Sequence, residues 1–91
     1  MRMDIADLRL FLAIAEAGSI TAGAAQANLA LGSASERLRT IEADAGTPLL
    51  NRHPRGVSLT EAGAALAHHA RLILQQQAQL RGELQAFAHG A

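Results

Sequence analysis

SITAGAAQANLALGSASERLRTIE, from Ser19 to Glu42, reads as two short helices joined by a tight turn. The second helix is expected from about Gly32 to Ala45. Its apolar residues Ala34, Leu38, Ile41 and Ala45 are spaced four, three and four. At about 100° per residue they form one stripe. Opposite that stripe lie Gly32, Glu36, Arg39 and Ala43, with Ser33, Ser35 and Thr40 on the shoulders. Such a helix rests on a small core and turns short polar and charged side chains outward. Two readings are open at this point. One is an ordinary amphipathic surface helix. The other is a recognition helix entering a DNA major groove, which needs the same arrangement.

The rest of the chain bears on that choice. With 91 residues there is room for one domain with a modest core. Hydrophobic residues make up 49% but aromatics only 2%. The core is therefore built from Ala, Leu and Ile, and its helices must approach closely. An Ala-rich sequence poor in β-branched residues favours helix. Eight basic and eight acidic residues give a formal net charge of zero. That argues against attachment to DNA by bulk charge, whose usual sign is a strongly basic domain. Every fixed positive charge is Arg, since the chain has no Lys. A few well-placed Arg residues can still pair with phosphate or guanine. Codon bias from a GC-rich genome is the favoured explanation of the composition, with function left to individual Arg positions. There is no Cys, so disulfides and Cys-based metal sites are excluded. No run of 18 apolar residues predicts a transmembrane helix. The amino-terminal MRMDIADLRL is not a secretory signal, and a cytosolic location is the simplest expectation.

Upstream, Ile5 to Ala17 is a predicted helix with the stripe Ile5, Leu8, Phe11, Leu12 and Ala15. Asp4 or Asp7 suits its dipole, and Gly18 ends it. A short helix over about Thr21–Ala27 follows, capped by Ser19 or Thr21. Asn28 turns the chain, with Leu29 and Leu31 expected to point inward beneath the next helix. Downstream, Gly46 and Pro48 terminate that helix. Leu49 and Leu50 begin one short strand, and Val57 and Leu59 alternate with polar residues in a second. His53, Pro54, Arg55 and Gly56 make the turn. Arg52 and Arg55 give this hairpin the one locally basic stretch, with no acid between Asp44 and Glu61. It is either a solvated tip or a wing touching phosphate or minor groove.

Thr60 and Glu61 open a last helix to about Phe87. Leu66, Ala70, Ile73, Gln77, Leu80, Leu84 and Phe87 alternate spacings of four and three, a coiled-coil-like seam. So small a domain cannot cover so long a seam. Leu80, Leu84 and Phe87 would leave an apolar patch of the kind monomers avoid. A homodimer through Leu66, Ile73, Leu80, Leu84 and Phe87 is expected, with Gln77 fixing register.

Helix, short helix, turn, helix, two-stranded wing and long helix, in that order, define the expected fold. It is mainly α: a winged helix-turn-helix with a three-helix core and β wing over residues 1–60, then a linker or dimerisation helix over 61–88 and a tail at 89–91. The segments LRLFLAIAEAGSITAGAAQANLAL, SERLRTIEADAGTPLLNR and GVSLTEAG carry a resemblance to the amino-terminal DNA-binding domain of LysR-type bacterial transcriptional regulators. The ordered combination of EAGSIT, IEADAGTPLLNR and LTEAG is specific, and it covers nearly the whole chain. The resemblance implies a sequence-specific, cytoplasmic, nucleoid-associated regulator bound to double-stranded promoter DNA as a homodimer. In the intact protein it implies a tetramer, contact with RNA polymerase and control by a small metabolite. That metabolite would bind an effector domain absent from these 91 residues, so a fragment or truncated form is expected. No cofactor is expected.

By the same resemblance, Ser33, Ser35 and Arg39 are the candidates for base or groove contact. Thr21, Arg37, Arg52 and Arg55 are the candidates for phosphate. The sequence also departs from the family pattern. Ala30, Leu31 and Gly32 stand where a Ser-Gln-Pro/Ser run usually enters the recognition helix, leaving Ser33 as a cap for a helix starting slightly later. Glu36 and Ala22 stand where Arg is common. Each change removes a positive or hydrogen-bonding group, so altered base preference or weak binding is expected. Glu36 would repel phosphate but can accept from cytosine N4.

An enzyme is not expected. There is no HExxH, no Gly-rich loop ending in Gly-Lys-Ser/Thr and no GxSxG. His68 and His69 are adjacent, about 100° apart on a helix, and cannot chelate one metal. They are expected at the junction of the long helix and the winged core. His53 and His89 are isolated. The stronger rival is an interaction module that dimerises with full-length relatives and binds DNA weakly or not at all.

Overall fold

The computed structural model describes residues 1–90. Its elements are α1 (Ile5–Ala17), α2 (Ile20–Gln26), α3 (Leu31–Ala45), β1 (Leu50–His53), β2 (Gly56–Leu59) and α4 (Glu61–Ala88). This is the winged helix-turn-helix expected from the sequence, with a long carboxy-terminal helix.

Local chemistry sets most boundaries. Asp4 caps α1 by accepting the Asp7 N–H at 2.8 Å, and the Asp7 carboxylate accepts the Asp4 N–H at 3.2 Å. Gly18, at φ 67°, closes α1, and Ser19 then caps α2 by accepting the Ala22 N–H. Asn28 adopts φ 58°, the left-handed turn expected of it. α3 begins at Leu31, one residue early, and Ala30 at its N-cap offers no side-chain acceptor. The Ala34 N–H already bonds to the Ala30 carbonyl, so Ser33 lies inside the first turn and is not a cap. Leu31 is also corrected: it is 49% exposed rather than turned inward. As the first helical residue it has no preceding turn to cover it, and only Leu29 of the two packs on the core.

α1 is central. It packs against α2, α3, β2 and α4. Its buried residues are Leu8, Leu10, Phe11 and Ile14. A one-stripe reading missed Leu10 and Ile14 because a helix covered on several sides buries more than one stripe. α2 crosses α1 so closely that a Cβ on Gly23 would collide with the Ile14 backbone. α3 contributes Ala34, Leu38 and Ile41, all 1% exposed or less, as its periodicity predicts.

β1 and β2 pair antiparallel, from Leu50 opposite Leu59 to His53 opposite Gly56, with Pro54 and Arg55 at the tip. The strand starts at Leu50, because the Leu49 carbonyl and N–H are spent elsewhere: the carbonyl accepts from the Thr60 N–H, and the N–H donates to Glu42. Two further bonds tie the hairpin down. The Val57 N–H donates to the Gly18 carbonyl, and the Thr60 hydroxyl to the Pro48 carbonyl.

Thr60 caps α4. Gly63 is required there, because a Cβ would drive into the Leu49 carbonyl oxygen. Gly63, Ala67 and Ala70 are buried, and Leu74 and Gln77 continue that stripe half-buried. This corrects the seam. Ala70 is sealed within its own domain, and the Gln77 side chain accepts from Arg9 of α1 at 3.1 Å, so Gln77 is occupied within the chain. Leu66 is partly packed on the core. Ile73, Leu80, Leu84 and Phe87, one step round the helix, are 44–79% exposed. The molecule is 53 Å long but only 24 by 20 Å across, because α4 runs on past the body.

Candidate nucleic-acid interface

The outer surface of α3 has a crest and two edges. Gly32, Glu36, Arg39 and Ala43 form the exposed crest. Leu31, Ser35, Arg39 and Glu42, spaced four, four and three, follow one edge. Ser33, Arg37, Thr40 and Asp44 follow the other.

The first edge meets the wing at its carboxy-terminal end, through Glu42. One oxygen of the Glu42 carboxylate accepts the N–H groups of Leu49 and Leu50 at 2.8 and 3.4 Å. Its other oxygen lies 3.9 Å from the Arg52 guanidinium. Glu42 therefore fastens the start of the wing to the last turn of α3, and Arg52 reaches that end of the edge. Arg55 sits at the hairpin tip, exposed. The second edge faces α1 and the amino terminus. Arg37 lies 3.8 Å from the Asp7 carboxylate, and Asp44 accepts the N–H groups of Arg2 and Met3 at 2.7 and 3.0 Å.

The candidate residues thus fall into groups. Ser35 and Arg39 share one edge of α3 with Glu42, and Arg52 meets that edge at Glu42. Ser33 is exposed in the first turn of α3, and Thr21 is exposed in the first turn of α2. Arg37 is turned toward Asp7, away from Arg39. Thr40 donates its hydroxyl to the Glu36 carbonyl within its own helix. Sequence reasoning missed Glu42 and Asp44. Both look like ordinary surface acids in the pattern, and only the fold brings their backbone partners to them.

The electrostatics of this surface are balanced. Arg39 pairs with Glu36 at 3.2 Å, Arg37 with Asp7 and Arg52 with Glu42. Among the described residues Arg55 has no acidic partner. The Glu36 and Arg39 side chains are 70% and 77% exposed. A pair that exposed holds its partners weakly, about 0–1 kcal/mol, so it opens readily for a stronger acceptor.

His68 and His69 meet edge-on with ring centroids 5.1 Å apart on the exposed side of α4. His69 borders an apolar groove with Met3, Leu8, Leu66 and Ile73 where α4 meets the body, the expected junction. No helix is long and apolar enough to cross a membrane among the described residues.

Comparison with known proteins agrees with this geometry. Residues 5–64 match the family described as bacterial regulatory helix-turn-helix protein, lysR family. The chain is 35% identical over 88 residues to the HTH-type transcriptional regulator TcbR of Pseudomonas sp. (strain P51). It is 43% identical over 68 residues to AbaB of Streptomyces antibioticus. These matches cover 97% and 75% of this chain but only 30% and 23% of the relatives. Among solved structures, the CbnR DNA-binding domain in complex with DNA superposes with a TM-score of 0.88 at 35% identity, covering 94% of this chain and 99% of that one. The BenM DNA-binding domain on catB site 1 DNA superposes at 0.93 with 28% identity, covering 98% and 99%. These relatives are regulators, in line with the expectation that the chain is not an enzyme. The fold, the matched span and the relatives agree: the chain belongs to the lysR family of bacterial regulators and carries its helix-turn-helix DNA-binding domain.

Proposed function

We propose that α3 lies in the major groove of promoter DNA while the wing follows the adjacent backbone or minor groove. The observation that carries this reading is the outward crest of α3, left uncovered by every other element and joined to the wing through Glu42. Ser33, Ser35 and Arg39 read bases or line the groove. Thr21, Arg52 and Arg55 hold phosphate, and Arg37 reaches phosphate with the donors its Asp7 pair leaves free. The CbnR and BenM domains, which share this fold, are solved in complex with DNA, which supports a DNA-binding role for this chain.

α4 joins two copies through Ile73, Leu80, Leu84 and Phe87, with Leu66 at the base of the contact. The apolar groove beside Leu66 and Ile73 continues that face onto the body. For the whole protein we propose a cytoplasmic regulator that answers to a small metabolite, contacts RNA polymerase and assembles further into a tetramer.

A mobility shift on duplexes enriched from a random pool tests the DNA reading. Enrichment, with affinity falling as salt rises, supports it. Dimers that enrich no sequence at low salt favour an interaction module that pairs with full-length relatives.

A further inference from the structure

We propose that Leu31 is a specificity-determining residue that reads the C5-methyl group of a thymine. This inference rests on the placement of α3 in the major groove and goes beyond it, by naming a base and an atom.

Seven large apolar residues are exposed: Met1, Leu31, Leu72, Ile73, Leu80, Leu84 and Phe87. Met1 is the chain end, and the last five form the uncovered part of α4. Leu31 alone belongs to neither place. It is absent from the core cluster and from the partly buried residues packed against it. It begins the helix proposed to enter the groove, at the end that conventionally meets base edges. Beside it, Gly32 is exposed and carries no side chain. Ser35 and Arg39 follow on the same edge, so a base pair met by Leu31 continues the row they address.

The chemistry narrows the target. A leucine side chain neither donates nor accepts hydrogen bonds, so it cannot read N7, O6, O4 or an exocyclic amine. The thymine methyl is the apolar group of the standard major-groove edges. Setting it against Leu31 removes both from water, a gain that cytosine, adenine and guanine cannot provide. Each of those bases would instead place a polar edge against leucine and lose hydration without compensation.

The test uses the 91-residue chain and a duplex enriched by it from a random pool. Each thymine is replaced in turn by uracil, which keeps every hydrogen-bonding group and lacks only the methyl. Affinity should fall about fourfold at one thymine per contacted helix, the factor for one methyl group returned to water. In Leu31→Ala the same duplexes should bind equally, and thymine should no longer be enriched at that position. Thermal unfolding of the variant should match the parent, since Leu31 supports no core contact. Specific binding with no uracil effect at any thymine overturns the Leu31 proposal and leaves the DNA reading standing. A uracil effect that persists in Leu31→Ala overturns it too, by assigning the methyl to another residue. A change of Leu31→Ala from dimer to monomer by light scattering overturns it by making Leu31 a protein contact. Failure to enrich any duplex overturns both this proposal and the DNA reading.

Discussion

Replacing Glu42 by alanine strips an acceptor from two backbone donors at once. The Leu49 N–H, bonded at 2.8 Å, belongs to a residue only 2% exposed. Left without a partner, such a group costs about 1–3 kcal/mol. The Leu50 N–H at 3.4 Å is a marginal bond and adds less. Arg52 is 57% exposed and 3.9 Å away, so loss of its pairing adds little to stability. About 2 kcal/mol is therefore expected in total. In a domain of this size that is a fall in Tm of about 8–16 °C. Glu42→Gln keeps a neutral acceptor and should lose about half as much. Circular dichroism melts at matched protein concentration read both. The wing should also lose its setting against α3, so Glu42→Ala should bind an enriched duplex more weakly at a temperature where it is fully folded. A Tm within 2 °C of the parent would refute the claim that one carboxylate ties the wing to the recognition helix.

Gly63→Ala sets helix propensity against sterics. Alanine gains up to about 1 kcal/mol in a helix, but the collision with the Leu49 carbonyl costs about 1–3 kcal/mol, so a net loss of stability is expected by thermal melts. An equal or higher Tm would mean that α4 shifts without penalty. Arg39→Ala should weaken binding to the enriched duplex by about 1–3 kcal/mol while sparing unrelated DNA. An equal loss on all sequences would make Arg39 a phosphate contact. Arg52→Ala with Arg55→Ala should reduce the slope of log affinity against log salt by up to about two, and an unchanged slope removes the wing as an electrostatic contact. Leu80→Asp with Leu84→Asp should convert a dimer to a monomer by light scattering, and a monomeric mass in both proteins would end the α4 dimer proposal.

The sequence was most informative where a signal is local. Asn28, Gly18 and the alternation around Val57 each depend on nearby backbone geometry, and each sits where it was expected. The α3 stripe was legible because one face of that helix meets the core and the other meets nothing. The same logic misled on α1, whose Leu10 and Ile14 are buried because neighbours arrive from elsewhere in the chain. It misled again on α4, where a heptad spacing ran together two stripes. Ala70 and Gln77 serve the domain, and Ile73, Leu80, Leu84 and Phe87 do not. Periodicity gives the angle of a residue around its helix, not which of two partners will cover it. Arg39 and Arg52 could be named from likeness to a family, but the acidic partner of Arg52 could not. Glu36 lies within one turn of Arg39, whereas Glu42 meets Arg52 only through the hairpin's fold.

Those acidic partners explain how a chain of zero formal charge can serve as a DNA-binding domain. Three arginines around the recognition surface each arrive with a carboxylate at 3.2–3.9 Å. On random DNA, exchanging that carboxylate for a phosphate gains little, because one exposed ion pair replaces another. On a correct site the guanidinium gains a planar acceptor pair in a groove from which water is excluded, and the exchange becomes favourable. Pairing therefore suppresses the sequence-independent part of binding more than the specific part. The expected consequence is that a single head binds weakly, since the bulk electrostatic attraction has been given up. The proposed α4 dimer would then have a direct role in affinity. On the proposed dimer, two heads joined by that helix would meet DNA as one ligand, the second contact forming at the high effective concentration set by the first. If that dimer forms, neutrality at the recognition surface and an uncovered apolar helix are two parts of one arrangement, with discrimination assigned to α3 and strength to α4.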